Sequence, residues 1–327
     1  AEFLCTEAPP IATMNKYHNR CVGLVRGKNI ERFLDSRTKT DIQRTAQSIP
    51  SFSTFATVIF KVAGEVANNL IQVILSINFF FGLKQGHRHH RSEHFFLYDM
   101  DIGQGQAGIL EPYEDTGVVT RIPWSQYEGT RLDRKRAWFR HNKSSLAHRH
   151  FARHFRSRVC WALKIDGDEF LYPLVGDDVI GPVRAFDRSR TRGICMPRFN
   201  FGDSGHERRP SGLVIESYLK REAARSSQKE MGNGEKLSGN HFRRGAHRWS
   251  HGLHKRGTLV SPDHVETLRI NHYFSKSFEE FQTRQNDNYL RRQTREQFDL
   301  RNHGRNDVVD DGMLRFAPAV RSALGLP

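Results

Sequence analysis

The chain has 327 residues and carries 51 Lys and Arg against 36 Asp and Glu, a formal net charge of +15, with a pI of about 10.0. Hydrophobic residues make up 37% and aromatic residues 11%, which excludes a wholly disordered, a collagen-like or a many-span membrane protein and leaves one large domain or two small ones. Cys5, Cys21, Cys160 and Cys195 lack CxxC or zinc-ribbon spacing, so a dense disulfide framework and a cysteine metal centre are excluded too, while one or two disulfides stay open.

The chain starts at Ala1 with neither an initiator Met nor a charged-then-apolar leader, which suits a fragment or a processed form whose targeting information is missing. An apolar run at 21–25, a Gly-Lys-Asn turn and the amphipathic 30–34 predict strand, turn and helix. From Ser51 to Leu83 the composition shifts to Phe, Val, Ile, Ala and Asn, and 66–83 is nearly long enough to cross a bilayer. Asn68, Asn69, Gln72 and Asn78 would each need a partner there, so a packed or surface-anchoring helix is expected in place of a span. Residues 94–99 form an apolar run ending in Asp99, as in a buried strand whose C-terminal end meets a ligand. A short helix over 105–117, a strand over 118–124, a charged helical stretch over 126–158 and a strand over 160–165 follow; 282–306 reads as an exposed helix.

This order predicts an α/β fold with a mostly parallel central sheet, helices on both faces and functional residues at the strand C-termini. Residues 1–36 supply the first strand and helix, 37–90 are an atypical apolar and His-rich insertion, and 91–327 are the remainder of the domain with a C-terminal helical segment.

Basic clusters lie at 131–136, 148–158 and 241–256, and none matches a helix-turn-helix, zinc-finger or RNP pattern. Solvated basic faces, or a site for an anionic small molecule, explain them better than nucleic acid, and a nucleic-acid or polyanion-binding protein is kept as the alternative. The sharpest feature is Asp166-Gly-Asp168, where an apolar strand ends in two carboxylates that an intervening Gly lets aim at one point. Two hard oxygens at that spacing suit Mg²⁺ or Mn²⁺, which can neutralise the charge of a departing nucleoside diphosphate.

Residues 161–171, Trp-Ala-Leu-Lys-Ile-Asp-Gly-Asp-Glu-Phe-Leu, resemble the W-x-x-x-x-D-x-D-E-F-[LI] segment of glycosyltransferase family 92 and related family-2-like enzymes. Residues 94–101 are similar to that group's H-F-x-x-Y-D-N strand, 109–119 to L-x-x-Y-x-x-x-G-x-V, 201–205 to F-G-[ST]-S-G, and 270–281 to N-H-Y-x-x-K-S-x-E-E-F. The order is kept across 17–34 and 94–322. The resemblance implies a GT-A (Rossmann-like) fold and an inverting, metal-dependent glycosyltransferase that moves a sugar from a nucleotide-sugar, expected to be a UDP-sugar, to a glycan or polysaccharide acceptor.

It implies further that Asp166 and Asp168 hold Mn²⁺ or Mg²⁺ directly or through water, with His272 as a third ligand, that Lys276 lies near the diphosphate, and that Asp99 and Asp101 meet the nucleoside. The plain alternatives are a core histidine at 272 and a solvated lysine at 276. Met100 stands where the family usually has Asn, and Gly103-Gln-Gly105 where it has a Ser/Asp-rich turn. Inversion needs a base for the acceptor hydroxyl, and Asp203, His206 and Glu216 are the candidates. Glu216 matches an acidic family position and is preferred, its alternative being a salt-bridged surface Glu. Trp249, with Arg243, Arg244, His247 and His251, could meet acceptor sugar or diphosphate, against a reading as surface charge. The family's K-N-E is Lys28-Asn29-Ile30 here and its E-W-x-x-x-H helix is not recognisable, so an inactive relative is a second alternative. A eukaryotic member would sit in the Golgi and a bacterial one on the cytoplasmic side of the membrane, so membrane association stays open.

Overall fold

The structure is a computed structural model that describes residues 53–60, 93–99, 104–124, 143–177, 179–186, 190–238, 247–249, 257–283 and 294–327. Apolar and β-branched runs give β1 (Ser53–Phe60), β2 (Glu93–Asp99), β3 (Val119–Pro123), β4 (Val159–Ile165) and β5 (Glu169–Pro173). They are followed by β6 (Thr191–Asn200), β7 (Lys220–Arg221), β8 (Ser227–Asn233), β9 (Thr258–Val260), β10 (Leu268–His272) and β11 (Val308–Val309). Nine of these form one sheet in the order β3-β2-β1-β4-β8-β6-β10-β5 with β9 beside β6, while β7 and β11 pair separately.

The sheet is mixed, which corrects the expectation of a mostly parallel one. β1 to β4 are parallel to their neighbours, but β8 enters antiparallel between β4 and β6, and β5 lies antiparallel to β10 at the far edge. The first strands are joined by crossovers long enough for parallel return, whereas β5 follows β4 after a tight turn and must reverse direction. β1 lies within the stretch read as an insertion, yet it pairs with both β2 and β4. The expected strand at 21–25, helix at 30–34 and apolar segment 66–83 fall outside the described residues. Among those described, no helix is long and apolar enough to cross a membrane.

Side chains alternate between faces with period two. Phe95 and Leu97 of β2 with Trp161, Leu163 and Ile165 of β4 join one core, which also takes Leu110 of the helix Gln104–Asp115 and Val320 of the helix Ala317–Leu324. Phe96, Tyr98 and Ala162 point the other way and pack with Ala147, Phe151 and Trp249, under the helix Lys143–His154. Cys160 and Cys195 are buried free thiols. Each large apolar side chain buried in these layers contributes roughly 1.5–3 kcal/mol.

Strand direction decides where function can sit. β4 and β6 both run against β8, so they are co-directional, and β10 follows β6. The C-terminal ends of β2, β4, β6 and β10 therefore share one edge of the sheet, and Asp99, Ile165, Asn200 and His272 are their last residues.

Candidate functional site

β4 ends at Ile165 and the chain turns through Asp166-Gly167-Asp168, closed by the Glu169 amide donating to the Asp166 carbonyl at 3.1 Å. Glu169 is fully buried beneath this turn. Its Oε2 accepts the Asp166 amide at 2.9 Å, and its Oε1 accepts Arg198 Nη1 at 2.9 Å. Lys229 of β8, also buried, places Nζ 2.5 Å from Glu169 Oε2 and 3.1 Å from Asp166 Oδ2. Burial alone would lower the Lys229 ammonium, but Asp166 and Glu169 offset this and hold it above the ordinary lysine value. Two carboxylates and two cations thus lock the turn from below.

Asp168 faces the other way. Its backbone carbonyl accepts the Tyr273 amide at 2.9 Å, and its Oδ1 lies 3.4 Å from His272 Nε2, with 27% of the side chain exposed. His272 Nδ1 meets Asn200 Oδ1 at 2.8 Å. The orientation of that amide is fixed by its other end, where Nδ2 donates to Glu222 Oε2 at 3.2 Å and to Ser226 Oγ at 2.9 Å. A carboxylate only accepts, so the Asn200 oxygen must face His272 and the imidazole proton must lie on Nδ1. Nε2 then presents its lone pair to a carboxylate oxygen unless it takes a second proton, and a cation between the two relieves the opposition. This is the arrangement by which an outer hydrogen bond prepares a histidine for a metal.

Among the described residues no three His, Cys, Asp or Glu side chains converge at metal-holding distance. Asp166 is turned to Lys229, although 45% of its side chain is exposed. The donor types nevertheless fit a divalent ion: a carboxylate and a prepared imidazole face each other, and a second carboxylate stands on the same turn.

The other expected residues are placed as follows. Asp99 is buried at the end of β2 and paired with Arg121, whose Nε donates at 2.7 Å and whose Nη2 lies 2.5 Å away. Asp101, Arg243, Arg244 and His251 fall outside the described residues. Lys276 is buried with φ +56°, its Nζ 3.9 Å from Glu280 Oε1, so it is not a solvated surface lysine. Glu216 accepts Arg321 Nε at 2.7 Å, Arg321 Nη2 at 2.9 Å and the Leu213 amide at 3.1 Å. The Arg321 hydrogen bonds hold its carboxyl below the usual range, which leaves it weakly basic and tied to the C-terminal helix.

Asp203 sits in the loop after β6. Its Oδ1 accepts the Gly205 amide at 3.1 Å and Asn306 Nδ2 at 2.9 Å. The loop is tied to the histidine strand, since the Phe201 amide donates to the His272 carbonyl at 2.8 Å. Gly202 has no room for a side chain, because a Cβ would lie 2.3 Å from Asn306 Oδ1 and 2.5 Å from the Arg305 carbonyl. His206 directs Nε2 to the Ser217 carbonyl at 3.0 Å.

Trp249 is a core residue, which corrects its expected place at the acceptor. It is 2% exposed, its Nε1 donates to the Ala162 carbonyl at 2.9 Å, and Lys164 Nζ lies 4.7 Å from the ring centroid, so no face is left to stack on a sugar. His247 is half-buried, and burial with the nearby charges of Lys229 and Arg198 pushes its imidazole down to about 4.

Glu169, Arg198, Asn200 and Lys229 were not singled out from the sequence. Glu169 was readable, as the Glu of D-x-D-E-F. Lys229 lies in Ser-Gln-Lys-Glu-Met, a polar run with no distinguishing signal.

A family model described as Glycosyltransferase family 92 matches residues 87–301. No curated protein matches the chain. Among solved structures it is similar to the mannosyltransferase PcManGT from Pyrobaculum calidifontis in complex with GDP-Man and Mn²⁺, at 8% identity and TM-score 0.28 over 49% of this chain and 43% of that one. It is similar also to the mannosyltransferase Ktr4p from S. cerevisiae in complex with GDP, at 10% identity and TM-score 0.23 over 64% of this chain and 58% of that one. The chain thus spans about half the length of these two proteins.

Proposed function

The chain belongs to glycosyltransferase family 92, and on that premise we propose that it moves a sugar, with inversion, from a nucleotide-sugar to a glycan acceptor at the strand-end edge around Asp168 and His272. A GT-A type of domain is the fold this reading assigns, with β1 as part of it. The observation that carries the reading is the facing pair His272 Nε2 and Asp168 Oδ1, with the His272 proton held on the far nitrogen by Asn200.

Asp168 and His272 would hold Mn²⁺ or Mg²⁺, with Asp166 joining by turning from Lys229. A bound divalent ion would supply positive charge against the diphosphate as it leaves. Lys229, Glu169 and Arg198 hold the turn so that Asp168 stays aimed at the edge. Asp203 is the favoured base, since among the described residues only its Oδ1 is engaged and its loop is hydrogen-bonded to the His272 strand, whereas Arg321 claims both oxygens of Glu216. Asp203 would take the acceptor hydroxyl proton as that oxygen attacks the anomeric carbon opposite the nucleotide.

The test is a screen of nucleotide-sugars, UDP-sugars first, against glycan acceptors, with mass detection of the transferred sugar and NMR assignment of the new anomer. An inverted product supports the reading. No transfer from any donor by folded protein leaves the inactive relative.

A further inference from the structure

At the same edge stands an arginine with two buried nitrogens that meet no acceptor among the described residues. Arg305 follows the helix Arg295–Asn302, and its guanidinium carbon lies 4.2 Å from the centroid of the Phe274 ring. The Phe274 ring in turn packs against His272, with 5.1 Å between centroids. Arg305 Nε and Nη1 are buried and meet no hydrogen-bond acceptor among the described residues.

The surrounding groups are already committed. Glu222, the acid whose charge acts on Arg305, accepts the amides of Asn200 and Ser226 on Oε1 at 2.6 and 3.2 Å and Asn200 Nδ2 on Oε2. Arg198 adds a second positive charge, with Nη1 on Glu169 and a buried Nε that also meets no acceptor. Arg301 lies 3.5 Å from the same Phe274 ring, and its Nε and Nη2 donate to the Phe274 carbonyl. Burial, with Arg198 adding to it against Glu222, lowers the Arg305 pKa. Two buried donors without acceptors on a half-buried guanidinium are costly, and an arriving anion would remove that cost while making charge-assisted hydrogen bonds.

We propose that Arg305, backed by Arg198, is an anion-binding residue at this edge and that its ligand is a phosphate group. On the glycosyltransferase reading that phosphate belongs to the donor's diphosphate. Arg305 lies beyond the stretch matched by the family model, so nothing in the motifs points to it. A carboxylate on an acidic acceptor glycan would use the same donors and is the source to be set aside.

The experiment is calorimetric titration of the full chain, without divalent metal, with pyrophosphate and separately with glucuronate oligosaccharide, for wild type, Arg305→Gln and Arg305→Lys. Pyrophosphate should bind wild type and lose about tenfold or more in affinity with Arg305→Gln, the scale of one lost charge-assisted contact. Arg305→Lys, which keeps the cation but not the planar group, should bind between the two and serves if the Gln variant does not fold. Equal pyrophosphate affinity in wild type and the folded variants overturns the proposal, as does wild type that binds no pyrophosphate or binds only the oligosaccharide. Because the readout needs no sugar transfer, pyrophosphate binding that depends on Arg305 in a chain that transfers no sugar would sink the enzymatic reading and leave this site standing. Transfer with Arg305-independent pyrophosphate binding would do the reverse.

Discussion

Asn200 decides which nitrogen of His272 faces Asp168. Its amide oxygen accepts the Nδ1 proton at 2.8 Å because its NH₂ group is held by Glu222, and Nε2 is thereby left as the nitrogen that faces the carboxylate. Two residues at the ends of neighbouring parallel strands, paired in register, therefore set up one donor of the proposed metal pair.

Asn200→Ala removes that control while leaving the proposed ligands in place. Mn²⁺ affinity, read by calorimetry, should fall by about 10- to 100-fold, the usual cost of losing an outer hydrogen bond to a metal-bound histidine. Affinity equal to wild type would mean that His272 is not a ligand or needs no orientation.

Lys229→Met should be strongly destabilising. It removes the Lys229 ion pairs of both Glu169 and Asp166 and leaves Glu169 paired with Arg198, and breaking a buried ion network costs about 3–5 kcal/mol. Urea unfolding reads the change. A loss under about 1 kcal/mol would show the pair to be screened as a surface bridge is.

Glu216→Gln and Asp203→Asn separate the two carboxylates by function. Asp203→Asn should slow sugar transfer by about 10²- to 10⁴-fold, as expected for a lost general base, while Glu216→Gln transfers nearly normally. Glu216 should act on stability instead. Its folded pKa is depressed by Arg321, so its contribution is present above the unfolded carboxylate value of about 4.3 and is lost as pH falls through the lower folded value. The stability gap between wild type and Glu216→Gln should therefore be full at pH 6 and close in acid, and a gap that widens in acid would contradict the assignment.

Gly202→Ala places a methyl against the Arg305 carbonyl and the Asn306 side chain, and the carbonyl is backbone that cannot easily yield. Thermal unfolding should show a loss of about 1–3 kcal/mol, as for overpacking. No change in melting temperature would mean that the Asn306 segment can move away from the loop.

Much of this was readable in the sequence where a run of side chains has a single job. β2, the helix Gln104–Asp115, β3 and β4 stood out because each is an apolar or amphipathic run with turn residues at its end. β1 did not, because Ser53–Phe60 merges with the apolar stretch after it and reads as one long segment. β8 was hidden by its chemistry: Lys229 and Glu230 are charged yet buried, so a central strand looks like a solvated one. The D-x-D turn and His272 were visible as local patterns. Their supports were not, since Asn200 and Lys229 reach them from 72 and 63 residues away in sequence. Trp249 misled because its basic neighbours suggested a surface, whereas the indole itself packs under the helix Lys143–His154.

The most direct measurement of the central claim is release of nucleoside diphosphate from a panel of nucleotide-sugars by wild type and Asp168→Ala, each with Mn²⁺ and with EDTA, both proteins first shown folded by circular dichroism. At least one donor should be turned over by wild type with Mn²⁺, with turnover lost in EDTA and in Asp168→Ala, because the lost charge stabilisation falls on the leaving diphosphate. Turnover that persists unchanged in EDTA or in Asp168→Ala would contradict the account.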